Sequence, residues 1–279
     1  MAEARLLHHR TGTLTLGGRT LVMGVVNVTP DSFSDGGVHF APEDAVAGAL
    51  RMAAEGADIL DLGGESTRPG HSGISAEEEW ARVRPVLEGL AQAEARPPIS
   101  IDTTKAAVAR RAVAAGAAIV NDVWGYRRDP ELAHVAAETG AAAVLMHNRD
   151  SLDGSLDIVD DMLRFFERSL AVARGAGLPD DRIVLDPGIG FGKTLAQQFQ
   201  AIAGLPRLKS LGFPVLLGVS RKSFIGRLFD PPPEAAARLP GTIAANTFGV
   251  LAGADIVRVH DVAAHVQALR VLGELRRAA

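Results

Sequence analysis

Residues 21–37 of the chain read Leu-Val-Met-Gly-Val-Val-Asn-Val-Thr-Pro-Asp-Ser-Phe-Ser-Asp-Gly-Gly, and this stretch decides the fold. Its first half is a short apolar run rich in β-branched residues, which is typical of a strand buried on both faces. Its second half holds Pro30, two Asp, two Ser and a Gly-Gly pair, which is typical of a loop. Asn27 lies at the boundary, and because a buried amide must find hydrogen-bonding partners, its position indicates a binding role.

The same pattern, a buried strand that ends in a polar residue, recurs along the whole chain. After residues 21–27, further strands are predicted at 59–62, 99–101, 119–120, 143–146, 183–185, 215–219 and 256–259. The segments between them have helical spacing, notably 42–55, 76–91, 105–115, 156–174 and 235–253. Many of these helices end at a glycine, the expected C-cap: Gly56, Gly116, Gly140 and Gly253.

Eight strands that alternate with helices predict an α/β fold, a (β/α)8 TIM barrel formed by residues 1–279 as a single domain. The alternative is an open, doubly wound parallel sheet. The barrel is favoured because every unit delivers polar groups to the same end, whereas an open sheet gathers its site at one crevice. Residues 11–20 predict a short N-terminal β-hairpin with its turn at Gly17-Gly18, flanking the start of the main fold.

Composition excludes several classes of protein. The formal net charge is −4 and the pI is near 6.1, so no basic field indicates a nucleic-acid partner. Cysteine is absent, which excludes disulfides, thiolate metal sites and cysteine nucleophiles. No apolar run is long enough to predict a membrane helix, and the first residues do not resemble a secretory signal, so we expect a cytoplasmic protein without a membrane partner.

Three predicted strand ends carry the acceptors Asp102, Asn121 and Asp186. Any one of them could cap the following helix, but three at equivalent positions would converge at the mouth of the barrel. Asp and Asn oxygens suit a ligand with several N–H donors, such as a guanidine-like or pterin-like heterocycle. Lys222, which follows the seventh strand, could supply a complementary donor.

A second candidate group is Arg258 and His260, which stand two apart on a strand and therefore share a face. An Arg with a His suits phosphate, and the alternative is a salt bridge between Arg258 and Asp261. His147 is as compatible with a structural role as with a ligand role. We expect three other cations to be helix-start or solvated charges: Lys105, Lys193 and Arg221.

Two further patterns concern nucleotides and metals. Residues 186–194 end in Gly-Lys-Thr, but Pro187 stands where a P-loop needs glycine, so this is interpreted as a glycine-rich turn close to a ligand. No His/carboxylate pair has the spacing of a transition-metal site. A Mg²⁺ carried in on phosphates needs only one or two protein oxygens, and Asn27 could supply one.

The quoted stretch, from Met23 to Gly37, and the run Asp61-Leu-Gly-Gly-Glu-Ser-Thr-Arg-Pro-Gly70 resemble the two signatures of the dihydropteroate synthase family. Shorter matches follow in order at residues 100–103, 121–122, 186–193, 220–223 and 258–261. The resemblance implies a (β/α)8 barrel that condenses 7,8-dihydropterin-6-ylmethyl diphosphate with 4-aminobenzoate. The products would be 7,8-dihydropteroate and pyrophosphate, and a homodimer is implied as well.

The resemblance also implies roles for individual residues. Asp102, Asn121, Asp186 and Lys222 would form the pterin pocket, while Arg258, His260 and Asn27 would hold the diphosphate and its Mg²⁺. The aminobenzoate position would be bordered by Thr67, Arg68, Pro69, Phe191 and Ser223. Phe33 and Asp35 would belong to a first loop that covers the site, and the catalytic residues would be Asp102, Lys222, Asp35 and Arg68.

Two rival functions remain at this point. A non-catalytic pterin-diphosphate-binding relative would be expected to lose Asp35, Arg68 or Ser223, and all three are present. A folate-binding methyltransferase barrel would share the pterin pocket but has no use for the Arg/His diphosphate pair. The chain departs from the family in a shortened loop at 150–156, and the Pro-rich residues 229–239 have no assigned role.

Overall fold

A computed structural model describes residues 5–28, 41–66, 73–93 and 96–278 of the chain. Its strands are β1 (Arg5–His9), β2 (Gly12–Leu16), β3 (Leu21–Asn27), β4 (Ile59–Gly63), β5 (Ile99–Asp102), β6 (Ile119–Asp122), β7 (Ala142–Met146), β8 (Ile183–Asp186), β9 (Leu216–Leu217) and β10 (Ile256–Val259). Strands β3 to β10 form one parallel sheet in the order β8-β7-β6-β5-β4-β3-β10-β9.

The sheet closes on itself between its two outer strands. Val215, just before β9, forms a parallel bridge with Leu185 of β8, and the Leu185 N–H donates to the Pro214 carbonyl at 2.9 Å. The predicted (β/α)8 barrel is therefore confirmed, and the open sheet is excluded. The predicted strand at 215–219 is too long, because only Leu216–Leu217 pairs with β10 before the chain turns away.

The register of the barrel aligns several polar residues in one row. Asn27 pairs with Gly63, Gly63 with Asp102, and Asp102 with Asn121. Because parallel strands in register end at the same edge, these side chains meet at the carboxyl-terminal mouth of the barrel.

Ten helices occur in the described part of the chain: α1 (Pro42–Ala54), α2 (Ala76–Ala91), α3 (Ala106–Ala114), α4 (Glu131–Thr139), α5 (Ile158–Gly175), α6 (Leu195–Ala203), α7 (Leu205–Lys209), α8 (Ser223–Gly226), α9 (Leu239–Leu251) and α10 (Val262–Ala278). The predicted glycine caps are confirmed by left-handed backbone at Gly56, Gly116, Gly140 and Gly253. The predicted helix at 235–253 is divided into a 3-10 turn, Ala236–Arg238, followed by α9.

The N-terminal hairpin is present, but its predicted position is wrong. Strands β1 and β2 pair from Arg5↔Leu16 to His9↔Gly12, so the turn lies at Arg10 and Thr11. The Gly17-Gly18 pair follows the second strand instead of joining the two. Leu7 of β1 and Leu16 of β2 pack with residues inside the barrel. A hairpin that began at residue 11 would not include Leu7 and would bury less apolar surface.

This packing closes the amino-terminal end of the barrel and leaves the opposite end for the polar row. The interior cluster there contains Leu21, Met23, Ile59, Ile119 and Val144, all buried. A second, larger cluster lies between the strands and the surrounding helices. None of the helices in the described ranges is long and apolar enough to cross a membrane.

Candidate active site

Arg258 lies at the centre of a buried polar cluster in the barrel mouth. Its Nε donates to Asp61 Oδ2 at 2.6 Å, and its Nη2 donates to Asp102 Oδ2 at 2.9 Å. Asn121 Nδ2 also donates to Asp61 Oδ2, at 3.2 Å. Residues from β4, β5 and β10 are thus joined through one guanidinium, and Asn121 of β6 joins them through Asp61.

Asp186 and Lys222 lie beside this cluster, around Gly218. A Cβ added to Gly218 would lie 3.7 Å from Asp186 Oδ2, 3.9 Å from Lys222 Nζ and 3.9 Å from Arg258 Cβ. Lys222 Nζ also donates to the Ile189 carbonyl and lies 4.8 Å from the centre of the Phe191 ring. Asp102, Asn121 and Asp186 therefore meet as the strand pattern predicts, with Lys222 beside them. Arg258, which the sequence grouped with His260, lies among these acceptors.

The alternative salt bridge between Arg258 and Asp261 is wrong. Asp261 is paired with Arg221, whose Nε lies 3.0 Å from Asp261 Oδ2. Arg258 instead turns toward the inside of the barrel, where it pairs with Asp61 and Asp102. Arg221 is therefore an ion-paired residue and not a solvated charge.

Burial sets the protonation of the cluster. Burial raises the pKa of Asp102 to about 8, with Arg258 opposing and Asp61 adding to the shift. Burial also raises the pKa of Asp186, although Lys222 opposes it, and lowers the pKa of Lys222 to about 8. Burial opposes the charge of Arg258, but Asp61 and Asp102 outweigh it and raise the pKa of the guanidinium. Asp102 shares one guanidinium with a second carboxylate, so burial favours its protonated form.

Two buried carboxylate oxygens of the cluster lack a hydrogen-bond partner among the described residues. These oxygens are Asp61 Oδ1 and Asp102 Oδ1. A buried acceptor without a partner costs free energy until a donor reaches it. A flat ligand rich in N–H groups would supply such donors.

A cavity of about 830 Å³ lies beside the cluster. Phe191 and Lys193 of the glycine-rich turn line it, together with Ser223 at the start of α8 and Trp124 from the segment after β6. Arg128 stacks on Trp124, with its guanidinium carbon 3.7 Å from the ring centre. The cavity is large enough for an aromatic ligand next to one bound in the acceptor cluster.

His260 follows β10 and is half-buried. Its Nδ1 lies 2.9 Å from Ser220 Oγ, and its backbone N–H donates to the same oxygen at 3.1 Å. These bonds hold the loop after β10 against the loop after β9. Arg258 lies two residues earlier in β10 and is bound by the carboxylates of the interior, so the shared face predicted for Arg258 and His260 stays a prediction.

Asn27 is half-buried at the end of β3, and its side chain makes no hydrogen bond to another described residue. Its amide oxygen is the kind of ligand that Mg²⁺ accepts. Among the described residues, no group of three His, Asp or Glu side chains could hold a metal ion. Asn27 therefore fits a Mg²⁺ whose remaining ligands come from substrate phosphate and water, and does not fit a metal caged by the protein.

Five predicted site residues lie outside the described ranges: Phe33, Asp35, Thr67, Arg68 and Pro69.

Three residues of the site were missed by sequence reasoning. Asp61 is fully buried and holds Arg258, and the signal for it was a lone charge within the apolar strand Ile-Leu-Asp-Leu-Gly. Lys193 was expected to be a helix-start or solvated charge, but only 3% of it is exposed, and it contacts His147 beside the cavity. Lys105 begins α3 as expected but is paired with Glu65 and with the buried Glu79.

The fold and the acceptor cluster define a barrel that binds a pterin-like heterocycle, and residues 23–260 match the family of pterin binding enzymes. A dihydropteroate synthase from Bacillus subtilis is 48% identical over 260 residues, covering 93% of this chain and 90% of its own. Dihydropteroate synthase from Xanthomonas albilineans, solved with 4-aminobenzoic acid, has a TM-score of 0.89 at 48% identity and covers 95% of each chain. The same enzyme in complex with 7,8-dihydropteroate has a TM-score of 0.85 at 45% identity, over 94% of this chain and 96% of that one.

The chain belongs to the dihydropteroate synthase family and is a transferase of folate biosynthesis.

Proposed function

We propose that the chain condenses 7,8-dihydropterin-6-ylmethyl diphosphate with 4-aminobenzoate at the barrel mouth, forming 7,8-dihydropteroate and pyrophosphate. The observation that carries this assignment is the buried acceptor cluster, with the unpartnered Oδ1 of Asp102 among Asn121, Asp186 and Lys222. Relatives that cover the whole barrel carry this activity in their names. Neither the non-catalytic relative nor the methyltransferase gains support from an observation of its own.

The pterin ring would occupy the cluster with its N–H edge toward the carboxylates. Asp102 Oδ1 and Asp186 would accept from ring and exocyclic N–H groups, and Lys222 would donate to a ring acceptor. A ligand N–H favours the ionised form of Asp102, so pterin binding lowers the raised pKa of this carboxyl.

The diphosphate would lie on the wall formed by Arg258 and His260. A guanidinium and an imidazole suit phosphate oxygens, although Arg258 would share its N–H groups with Asp61 and Asp102. Asn27 would hold Mg²⁺ together with the phosphates, and the bound ion would neutralise charge on the leaving group.

The chemistry requires a good electrophile more than a strong base. The bond between the methylene carbon and the diphosphate oxygen breaks, and its electron pair leaves with the diphosphate. The amine lone pair of 4-aminobenzoate forms the new carbon–nitrogen bond, after which the nitrogen loses a proton. Ionised Asp102 would stabilise the positive charge that grows on the pterin ring, and this preorganised charge is a major source of catalysis in such sites.

The aminobenzoate would lie in the 830 Å³ cavity, between Phe191 and Ser223. The sequence motif adds Thr67, Arg68 and Pro69 to this border, and Phe33 and Asp35 to a loop that would keep water from the reactive methylene.

A homodimer is also proposed, on the outer faces of α9 and α10. Phe248 and Leu251 of α9 and Val271 and Leu275 of α10 are large apolar side chains that are each more than half exposed. Helices α9 and α10 contact one another, so these side chains belong to neighbouring elements. An apolar patch of this kind favours association with a second copy. Sedimentation of the protein, with F248E as the disrupting variant, tests the proposal.

The activity is tested by pyrophosphate release from the purified protein supplied with dihydropterin-methyl diphosphate, 4-aminobenzoate and Mg²⁺. Release that depends on the amine and is lost in D102N supports the synthase and the role of Asp102. Pterin binding without release would favour the non-catalytic function. Full turnover in D102N would refute the cationic mechanism.

A further inference from the structure

Lys193 is a buried cation that the mechanism above does not use. Its Nζ donates to the Gly188 carbonyl at 2.9 Å and to the Phe191 carbonyl at 3.1 Å. The third contact of Nζ is His147 Nδ1, at 2.7 Å. One amine therefore joins both sides of the glycine-rich turn to the segment after β7.

His147 is itself held in place from the other side. Its Nε2 lies 3.1 Å from Asp161 Oδ2 on α5, and its ring packs against Phe165 with centres 4.8 Å apart. Because a lysine ammonium is only a donor, His147 accepts at Nδ1 and donates from Nε2–H to Asp161. The anchor for Lys193 is thus fixed in orientation and in tautomer.

Two other side chains hold the turn from the side of the acceptor cluster: Asp186 Oδ1 accepts from the Gly188 N–H at 2.7 Å, and Lys222 Nζ donates to the Ile189 carbonyl. Lys193 is the side chain that ties it to residue 147. Gly188, Gly190 and Gly192 all have left-handed backbone, with φ of +63°, +91° and +57°. A Cβ on Gly188 would collide with the His147 carbonyl, and one on Gly192 would lie 2.5 Å from Arg149 Cβ. The turn is therefore pressed directly against residues 147–149, and three glycines provide no side chains to keep it there.

We propose that Lys193 is a positioning residue, which ties the Gly188–Gly192 turn to His147 and so holds the Phe191 ring at the border of the cavity. This inference rests on the proposed function, in which Phe191 borders 4-aminobenzoate. Lys193 also lines this cavity, but its three N–H donors are directed to the two carbonyls and to the imidazole, so the proposal assigns it no hydrogen bond to a substrate.

The charges around Lys193 are mixed. Burial lowers the pKa of its amine to about 7, Asp186 and Asp161 oppose this shift, and Lys222 and Arg149 add to it. Burying the Lys193 ammonium costs free energy because it loses its hydration, and its three hydrogen bonds offset part of that cost.

The test compares K193M with K209M in the full-length protein. Lys209 is a half-buried lysine that pairs with Asp255 at the amino-terminal end of the barrel, so K209M removes a lysine ion pair far from the turn. Steady-state kinetics give kcat and the KM of each substrate. Hydrogen–deuterium exchange over residues 187–193 reports on the turn without requiring activity.

We expect K193M to raise the KM for 4-aminobenzoate about tenfold, equivalent to about 1.4 kcal/mol, with little change in the KM of the pterin diphosphate. Exchange in the turn should be faster in K193M and unchanged in K209M. A KM for 4-aminobenzoate within about twofold of wild type, or equal losses in K209M, would overturn the proposal. If the wild-type protein released no pyrophosphate, the proposed function would fail, and exchange alone would decide whether Lys193 holds the turn.

Discussion

Replacing Asp61 by Asn tests whether the stability of the barrel mouth depends on the charge of this buried carboxylate. Asp61 is fully buried, and its Oδ2 accepts from Arg258 Nε at 2.6 Å and from Asn121 Nδ2 at 3.2 Å. The variant D61N keeps the size of the side chain but removes its charge. Arg258 then has one carboxylate partner among the described residues, Asp102, where it had two.

The cost follows from the geometry of the cluster. Removing one partner of a buried ion pair costs about 3–5 kcal/mol, because the other charge is left without compensation. Asp102 still pairs with Arg258, so we expect a loss of about 3 kcal/mol, the lower end of that range. For a domain of this size, 1 kcal/mol lowers Tm by about 2–4 °C, which gives a decrease of about 6–12 °C. The pKa of Asp102 should also fall from about 8, because Asp61 contributes to raising it.

The assay is urea and thermal unfolding of D61N beside a matched Asp→Asn variant, D58N. Asp58 precedes β4 and pairs with Arg19, whose side chain is 64% exposed, and it also accepts from the Val22 N–H at 2.9 Å. The Asp58 side chain is 13% exposed, but the Arg19 guanidinium stays in contact with water when its partner loses its charge, so D58N should lose less than D61N, about 1 kcal/mol. If D61N were as stable as D58N, the reasoning that Asp61 carries part of the compensation for Arg258 would be refuted.

Three further outcomes are expected. At pH 7, below the raised pKa of Asp102, binding of dihydropterin diphosphate should release about one proton that D102N does not release, which calorimetry in buffers of different ionisation enthalpy measures. Alanine at Gly188 should destabilise the protein far more than alanine at Gly212. Both glycines have positive φ, but only Gly188 has an atom in the way, and denaturant unfolding of the two variants separates the clash from the backbone strain. Chelation of Mg²⁺ should abolish pyrophosphate release, and N27A should raise the Mg²⁺ concentration needed for half-maximal release, as a titration with the metal would measure.

The elements that the sequence predicts well are those in which local and global signals agree. The β-branched runs at 21–27 and 256–259 become buried strands, and Gly56 and Gly253 end the helices that precede the next strands. Each depends on residues that are close in sequence, so periodicity and capping are sufficient. The position of the N-terminal hairpin was predicted wrongly because Gly17-Gly18 looked like its turn. Leu7 belongs to the hairpin because it is buried inside the barrel, and that burial is visible only in the closed structure.

The choice of ionic partners could not be predicted, because it depends on distant segments. Arg258 lies 197 residues from Asp61 and 156 residues from Asp102, and it passes over Asp261, three positions away. Lys193 appeared solvated because an isolated lysine normally is. Its burial depends on hydrogen bonds to the imidazole of His147, 46 residues earlier, and to the carbonyls of Gly188 and Phe191 in the glycine-rich turn.

The buried charges of the barrel mouth are paired with opposite charges, but one oxygen of Asp102 lacks a hydrogen-bond partner among the described residues. Arg258 pairs with both Asp61 and Asp102, and Lys222 lies next to Asp186. These opposite charges offset the free-energy cost of burying the carboxylates. Burial favours the protonated form of Asp102, and its Oδ1 has no hydrogen-bond partner in the described part of the chain. A substrate that brings N–H groups satisfies that oxygen and favours loss of the proton, so the carboxylate becomes negative when a cationic methylene needs it. In the proposed mechanism, binding therefore prepares the electrostatics of the reaction, because it shifts Asp102 from the form that burial favours toward the ionised form.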